Sequence, residues 1–149
     1  IKPLCDEDID FVTELSRKEG FAPGVGDLRI YQNTDNQGLW VGWLDNNPIG
    51  CIAGVRYNKY YGFLGLFLVI EEYRGRGFGL QLWKKALSHL SDLPCVGLEA
   101  APERITDYSK WGFTISSKTT RWQWFGDGKL LEENPNDYDL NDFNFGRET

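Results

Sequence analysis

Residues 61–90 read YGFLGLFLVIEEYRGRGFGLQLWKKALSHL. The first ten are apolar at nearly every position, which predicts an interior strand of a sheet with both faces covered. Over residues 78–90, leucine and tryptophan recur three and four positions apart, as they do on the buried face of a helix. Between the predicted strand and the predicted helix lies Arg74-Gly75-Arg76-Gly77-Phe78-Gly79, which we call the glycine turn. The sequence therefore predicts a strand, a tight turn and a helix in direct succession.

The glycine turn has the properties of an anion-binding site. A helix N-terminus presents unpaired backbone N–H groups and the positive end of the helix dipole. The three alternating glycines remove the Cβ atoms that would hold a diphosphate away from the main chain. Arg74 and Arg76 add positive charge nearby. We therefore expect this turn to hold a diphosphate group.

Two common nucleotide-binding motifs do not fit this segment. A Walker A loop ends in Gly-Lys-Ser/Thr, whereas the first lysine after the turn is Lys84. A dinucleotide fingerprint of the form G-x-G-x-x-G would need glycine at position 80 or 82, where Leu80 and Leu82 stand. Neither class of loop is indicated.

The rest of the chain predicts a mixed α/β fold. Further helices are predicted over residues 7–18, with Asp6 as the N-cap, and over residues 27–32 and 102–110. Further strands are predicted over residues 39–44, 49–57, 96–100, 113–116 and 119–125, the first two joined by a turn at 45–48. This order of elements implies a mixed sheet with helices on both faces. We expect one domain over residues 1–126, followed by an acidic tail or linker over residues 127–149.

Composition argues against several classes of protein. The 149 residues include one histidine and three well-separated cysteines, so neither a disulfide framework nor a catalytic metal is indicated. We interpret Cys51 and Cys95 as packing residues and His89 as an exposed helix residue. Five of the six net negative charges fall in the tail, and the remainder carries no basic stripe for a nucleic acid. No membrane helix or secretory leader is recognisable, so we expect a cytoplasmic protein without a membrane partner.

The glycine turn resembles the coenzyme A signature R/Q-x-x-G-x-G/A of the GNAT superfamily of N-acetyltransferases, with Arg74, Gly77 and Gly79 at the matching positions. Phe67-Leu68-Val69 is similar to the apolar-x-Val strand that precedes it, and residues 108–113 resemble the downstream Tyr-x-x-x-Gly-Phe. These elements follow the family's order across residues 1–125. Residues 42–79 further resemble the first half of a two-domain branch of the superfamily.

Two positions depart from the family's pattern. Glu71 stands where many members have proline, which matters little. Ala101 replaces an asparagine often found seven residues before the tyrosine, which removes any contact of such an asparagine with the coenzyme.

The resemblance implies the GNAT fold, a mostly antiparallel sheet that splays, and acetyl-CoA as cosubstrate with no metal. The coenzyme's pantetheine arm would enter between the strands 61–70 and 96–100. The implied coenzyme-binding residues are Phe67, Leu68, Val69, Arg74, Gly75, Arg76, Gly77, Phe78, Gly79 and Leu80.

The implied reaction is direct transfer of the acetyl group to an amine. A backbone N–H near Val69 would stabilise the oxyanion, and Tyr108 would be the general acid that protonates the departing thiolate. Glu99 is our candidate for the general base, acting through water. Each has a simpler interpretation. The alternative for Tyr108 is an aromatic that only packs its helix, and the spacing from Gly112 favours the acid. The alternative for Glu99 is a solvated strand residue, and the sequence does not choose between its two interpretations.

The sequence also leaves three functions to be separated. The first is an N-acetyltransferase acting on a small-molecule or peptide amine, and the second is a non-catalytic acyl-CoA-binding sensor or partner module. The third, which we favour least, is an interaction domain acting through residues 127–149. A second domain and a second copy of the chain both remain open as macromolecular partners.

Overall fold

The computed structural model describes residues 1–120, and the chain divides into two compact units, Ile1–Gly112 and Phe113–Thr149. The strands of the first unit are β1 Lys2–Pro3, β2 Leu39–Leu44, β3 Asn47–Arg56, β4 Tyr61–Val69 and β5 Cys95–Leu98. Its helices are α1 Ile9–Lys18, α2 Asp27–Thr34, α3 Phe78–Leu90 and α4 Ile105–Ser109. Short 3₁₀ turns occupy Asp6–Asp8, Glu71–Tyr73 and Pro102–Arg104.

The five strands form one sheet in the order β1-β2-β3-β4-β5. Neighbours are antiparallel except β4 and β5, which run parallel. The predicted mixed and mostly antiparallel sheet is therefore confirmed. The middle strand is β3, in which every residue from Ile49 to Val55 is buried. β4 lies inside the sheet but is only partly buried, so the expectation that both its faces would be covered was too strong.

Helices pack on both faces of this sheet, as predicted. On one face, Val12 and Leu15 of α1 join a core with Val41, Cys51 and Ala53. The opposite face carries α3, and glycines on the strands let that helix approach. A Cβ at Gly42 would lie 3.5 Å from the Leu82 side chain, and a Cβ at Gly54 would lie 3.1 Å from the Ala86 Cβ.

The turn between β2 and β3 is tighter than the predicted segment 45–48. Asp45 and Asn46 have φ values of 49° and 63°, and Leu44 pairs directly with Asn47. Two consecutive positive φ values define the type I′ turn, whose twist matches that of antiparallel strands. The hairpin was predicted correctly, and its turn contains two residues.

The predicted N-cap of the first helix is wrong. A 3₁₀ turn precedes α1, and the Asp8 carboxylate accepts hydrogen bonds from the Cys5 amide at 3.0 Å and the Cys5 thiol at 3.1 Å. Asp6 instead pairs with Arg29 at 3.2 Å. Because Asp8 lies three residues after Cys5, its side chain can reach back to an amide that Asp6 cannot reach.

In the second unit, Phe113–Thr120 has no regular secondary structure, so the predicted strand 113–116 is wrong. Within residues 1–120 the sheet consists of β1 to β5, and residues 113–116 form no further strand of it. The predicted strand 119–125 extends past residue 120. The domain boundary at 126 and the acidic tail also lie outside the described residues and stay predictions. Among residues 1–120, no helix is long and apolar enough to cross a bilayer.

Candidate active site

The sheet opens between β4 and β5. Their parallel pairing runs from Tyr61 opposite Cys95 to Leu64 opposite Leu98, whereas β4 continues to Val69. The last five residues of β4 therefore have no β5 neighbour. This is the splay that was predicted for the sheet, and it leaves a gap beside Phe67-Leu68-Val69.

A β-bulge shapes the part of β4 that borders the gap. The register with β3 changes between Cys51 opposite Leu68 and Ala53 opposite Gly65, so β4 contains one extra residue. Leu66, inside the bulge, has a φ of 48°, which is unusual for a residue with a side chain. Such a bulge bends the strand and changes the direction of its peptide groups.

The N–H of Val69 points away from β3. The Ile70 amide donates to the Ile49 carbonyl at 2.9 Å, next to the pair Gly50 and Val69. In an antiparallel ladder this pattern makes Gly50 and Val69 a non-hydrogen-bonded pair, whose own N–H and C=O groups face outward. The Val69 N–H is therefore directed to the side where β5 is missing.

The glycine turn lies at the end of the gap near Val69 and leads directly into α3. Gly75 and Gly77 have φ values of 73° and 84°, a region that residues with a Cβ rarely adopt. Gly77 is the N-cap, and Gln81 makes the first helical hydrogen bond, to the Gly77 carbonyl at 3.3 Å. The amides of Phe78, Gly79 and Leu80 thus precede the first helical donor and have no acceptor within the helix.

Gly79 allows the start of α3 to lie close to β4. A Cβ on this residue would lie 3.4 Å from the Phe67 ring and 3.5 Å from the Val69 side chain. The helix N-terminus is thereby brought to the end of β4, where the gap opens. The arrangement suits a ligand with an anionic group at the turn and an extended arm along β4.

The two arginines of the turn make different contacts. Arg74 donates from Nε to the Val69 carbonyl at 2.8 Å and forms an ion pair with Glu19. Arg76 lies over the rings of Tyr73 and Phe78, 5.6 Å and 5.2 Å from their centroids. Arg74 is therefore turned toward the protein.

A cavity of about 630 Å³ joins the gap, the glycine turn and α4. Nine predicted site residues line it: Phe67, Leu68, Val69, Arg74, Gly75, Gly79, Leu80, Glu99 and Tyr108. Three predicted residues do not, namely Arg76, Gly77 and Phe78. Lining residues that were not among the predicted site residues are Glu19, Phe21, Trp83, Ala101, Glu103, Arg104, Asp107 and Trp111. Of these, Trp83 had been assigned only to the buried face of a helix, although that face also contacts α4.

Tyr108 is held by aromatic packing at the side of this cavity. Its ring lies 5.4 Å from that of Trp83, which also contacts Phe67 and Trp111 at 5.5 Å and 5.9 Å. Burial raises the pKa of the Tyr108 phenol, with Arg104 opposing and Asp107 reinforcing the change. The phenol is therefore protonated at neutral pH and able to donate.

The acidic residues of the cavity differ in their surroundings. Glu99 is exposed and directly follows β5, which ends at Leu98 instead of continuing to residue 100 as predicted. The Glu19 side chain is 24% exposed and is paired with Arg74. Glu99 thus has the access to water that a proton relay needs, whereas Glu19 is occupied by an ion pair.

His89 and Cys95 differ from their predictions. The His89 side chain is only 19% exposed, and its Nε2 lies 2.7 Å from an Asp35 carboxylate oxygen. Cys95 is exposed, whereas Cys51 is buried, and burial raises the pKa of the Cys51 thiol to about 12. His89 does not line the cavity, as expected, and no group of three or more potential metal ligands occurs within residues 1–120.

Comparisons with known proteins agree with this geometry. A holothin acyltransferase from Pseudoalteromonas sp. (strain SANK 73390) is 33% identical over 120 residues, which are 80% of this chain and 40% of that protein. The chain thus spans less than half of that relative.

Two solved structures share the fold. Ard1 from Thermoplasma volcanium superimposes with a TM-score of 0.69 at 22% identity, covering 78% of this chain and 82% of Ard1. Rv2747 from Mycobacterium tuberculosis, solved with CoA, gives 0.63 at 18% identity, covering 81% and 75%. Residues 8–113 match the acetyltransferase (GNAT) family. The chain therefore belongs to the GNAT family of acetyltransferases.

Proposed function

We propose that this chain is an acetyl-CoA-dependent N-acetyltransferase that transfers an acetyl group directly to an amine. The observation that supports this most is a single cavity that reaches from the glycine turn, along the gap beside β4, to Tyr108 and Glu99. Family membership supports acetyl transfer in general. The amine acceptor and the roles of the residues are our proposal.

The residues present fit coenzyme A. The free amides of Phe78, Gly79 and Leu80 would hold the diphosphate, because the helix N-terminus and the absence of Cβ atoms favour an anion there. The arm would lie along Phe67-Leu68-Val69, where β4 has no β5 partner. When bound, acetyl-CoA supplies an activated acetyl thioester at the inner end of the gap.

The protein's own groups would then serve the transfer. The outward-facing Val69 N–H would stabilise negative charge that develops on the acetyl carbonyl oxygen. Tyr108 would donate its phenolic proton to the departing thiolate, and Glu99 would accept the amine's proton through water. Holding the amine beside the thioester removes much of the entropic cost of their encounter.

Turnover and binding together test this proposal. We expect acetyl-CoA to shift the amide resonances of residues 74–80, and a panel of amines to release free thiol from acetyl-CoA. The panel includes small amines, peptide N-termini and holothin, for which the bacterial relative is named. Unmoved resonances at millimolar acetyl-CoA would exclude the coenzyme site.

The same experiment separates the other functions. Tight binding of acetyl-CoA without turnover of any amine would favour a non-catalytic sensor or partner module. If removal of residues 127–149 abolished function while Gly77→Ala did not, the interaction-domain hypothesis would replace ours. We propose the cytoplasm as the setting, with no nucleic acid or membrane as partner.

A further inference from the structure

Arg74 bridges two acceptors that are far apart in the chain. Its Nε donates to the carbonyl of Val69, and a terminal guanidinium nitrogen lies 2.5 Å from the Glu19 carboxylate. A guanidinium presents several N–H donors in one rigid plane, so it can hold two acceptors in fixed directions. This bridge therefore joins the glycine turn, the end of β4 and the residue that follows α1.

The bridge supports β4 where the sheet gives it least support. Beyond Leu64 the strand has β3 on one side and no β5 partner on the other. The hydrogen bond from Arg74 reaches Val69 on the open side, because the Val69 carbonyl, like its N–H, points away from β3. This bond therefore adds a contact on the side of β4 that faces the gap.

The ion pair with Glu19 also neutralises much of the positive charge of Arg74. The Glu19 side chain is 24% exposed and the Arg74 side chain 41% exposed, so both are partly withdrawn from water. A carboxylate this close offsets most of the attraction that the guanidinium would exert on a second anion. Glu19 also precedes Phe21, which lines the same cavity.

We propose that Arg74 is a positioning residue that fixes the end of β4 and the glycine turn against Glu19, and that it is not a ligand of the coenzyme diphosphate. This inference rests on the proposed coenzyme site. In it, the main-chain amides of the turn hold the diphosphate, and Arg74 keeps them in place.

The bridge is tested first without any coenzyme. Glu19→Gln removes the ion pair, and we expect the amide resonances of residues 74–80 to shift in the unliganded protein. The matched control is Glu14→Gln, which removes the exposed pair between Glu14 and Arg17 on α1, the helix that Glu19 follows. If Glu19→Gln leaves those resonances unmoved, or if the control moves them equally, the bridge is rejected. This result does not depend on whether acetyl-CoA binds, so it is separable from failure of the proposed function.

Two probes then separate positioning from phosphate binding. Acetyl-CoA carries the diphosphate, and S-acetylpantetheine carries the same thioester arm without any phosphate. Arg74→Lys keeps the charge and loses the planar fork. Because Arg74 fixes both the end of β4 and the turn, we expect this variant to raise the Kd of both probes, about three- to tenfold for acetyl-CoA, with an unchanged unfolding midpoint. Weakening of acetyl-CoA alone, or no weakening of either probe, would contradict the proposal.

The double variant completes the cycle. If the two residues act as one unit, Glu19→Gln also weakens acetyl-CoA binding. The Kd for acetyl-CoA of the double variant, Arg74→Lys with Glu19→Gln, then lies within about twofold of the higher of the two single-variant values. If Arg74 were a phosphate ligand, removal of the competing carboxylate would tighten binding instead. Tighter binding by Glu19→Gln would therefore overturn the proposal.

Discussion

At the scale of single residues, Tyr108 shows how packing can suit a side chain to the acid role that we propose for it. Its phenol is half-buried against Trp83, and this burial raises its pKa. An ordinary tyrosine has a pKa of about 10, so the folded protein keeps this one protonated to still higher pH. Packing and acid catalysis are thus compatible roles, and only kinetics can separate them.

We expect Tyr108→Phe to lower kcat by about 10²- to 10⁴-fold, because it removes the proton donor and keeps the ring contact with Trp83. In the unaltered protein, kcat should fall as the pH rises through the raised pKa of Tyr108, since a phenolate has no proton to donate. The variant should lack this limb of the pH profile, and its Kd for acetyl-CoA should be unchanged. A variant with full activity would reduce Tyr108 to a packing residue.

At the scale of elements, β3 and β4 are held close together by glycine. A Cβ at Gly50 would lie 2.5 Å from the Leu68 carbonyl oxygen and 3.1 Å from the Val69 Cα. Both are main-chain atoms that can move only if the strand moves. The position of the gap beside β4 therefore depends on a residue that lies outside the cavity.

We expect Gly50→Ala to lower the free energy of unfolding by about 1–3 kcal/mol, because the new methyl group forces the two strands apart. Urea denaturation measures this change. The control is Gly65→Ala on β4, where a Cβ would meet nothing closer than 3.9 Å. If Gly50→Ala and Gly65→Ala lower the free energy of unfolding equally, the cause is the changed flexibility of the strand and not the clash between β3 and β4.

At the scale of the first unit, a polar cluster ties three distant elements together. Asp35, after α2, accepts hydrogen bonds from the Arg56 amide at 2.9 Å and the Gln37 amide at 3.1 Å, and pairs with His89 of α3. The Arg56 side chain forms two bonds of 2.7 Å to Asp92 and donates to the His89 carbonyl. Arg56 is thus a structural link between β3 and the end of α3.

This cluster predicts a loss of stability in acid. Burial raises the pKa of Asp35, but hydrogen bonds from His89 and the amides of Arg56 and Gln37 outweigh it, so the net pKa is lowered. The hydrogen bond from Arg56 lowers the pKa of Asp92 to about 2. Groups with a depressed pKa in the folded state stabilise it above their unfolded pKa of about 4 and lose that contribution as the pH falls.

We therefore expect the free energy of unfolding to decrease between about pH 4 and pH 2, with a shallower decrease in Asp35→Asn. At pH 7 this variant should be less stable by about 1–3 kcal/mol, because hydrogen bonds to a buried carboxylate are weakened. Chemical denaturation at several pH values measures both quantities. Asp6→Asn, at an exposed pair, serves as the control. An acid profile that is identical in Asp35→Asn and the unaltered protein would contradict this account.

Local sequence accounted for most of the elements. The helix predicted over residues 78–90 is α3, and the strand predicted over residues 39–44 is β2, because side-chain periodicity and turn residues act within a few positions. The glycine turn was predicted from a motif that is contiguous in the chain, and nine of the twelve predicted site residues line the cavity.

Tertiary structure decided how those residues are used. Arg74 pairs with Glu19, and His89 pairs with Asp35, although the partners are more than fifty positions apart in the chain. Glu19 and Phe21 likewise line the same cavity as the distant Tyr108. No periodicity or motif carries such information, because the direction of a side chain depends on what packs against it from elsewhere in the fold. Local sequence therefore specifies most of the elements and the glycine turn, whereas the packing of α1 and α3 on the two faces of the sheet sets which charges meet.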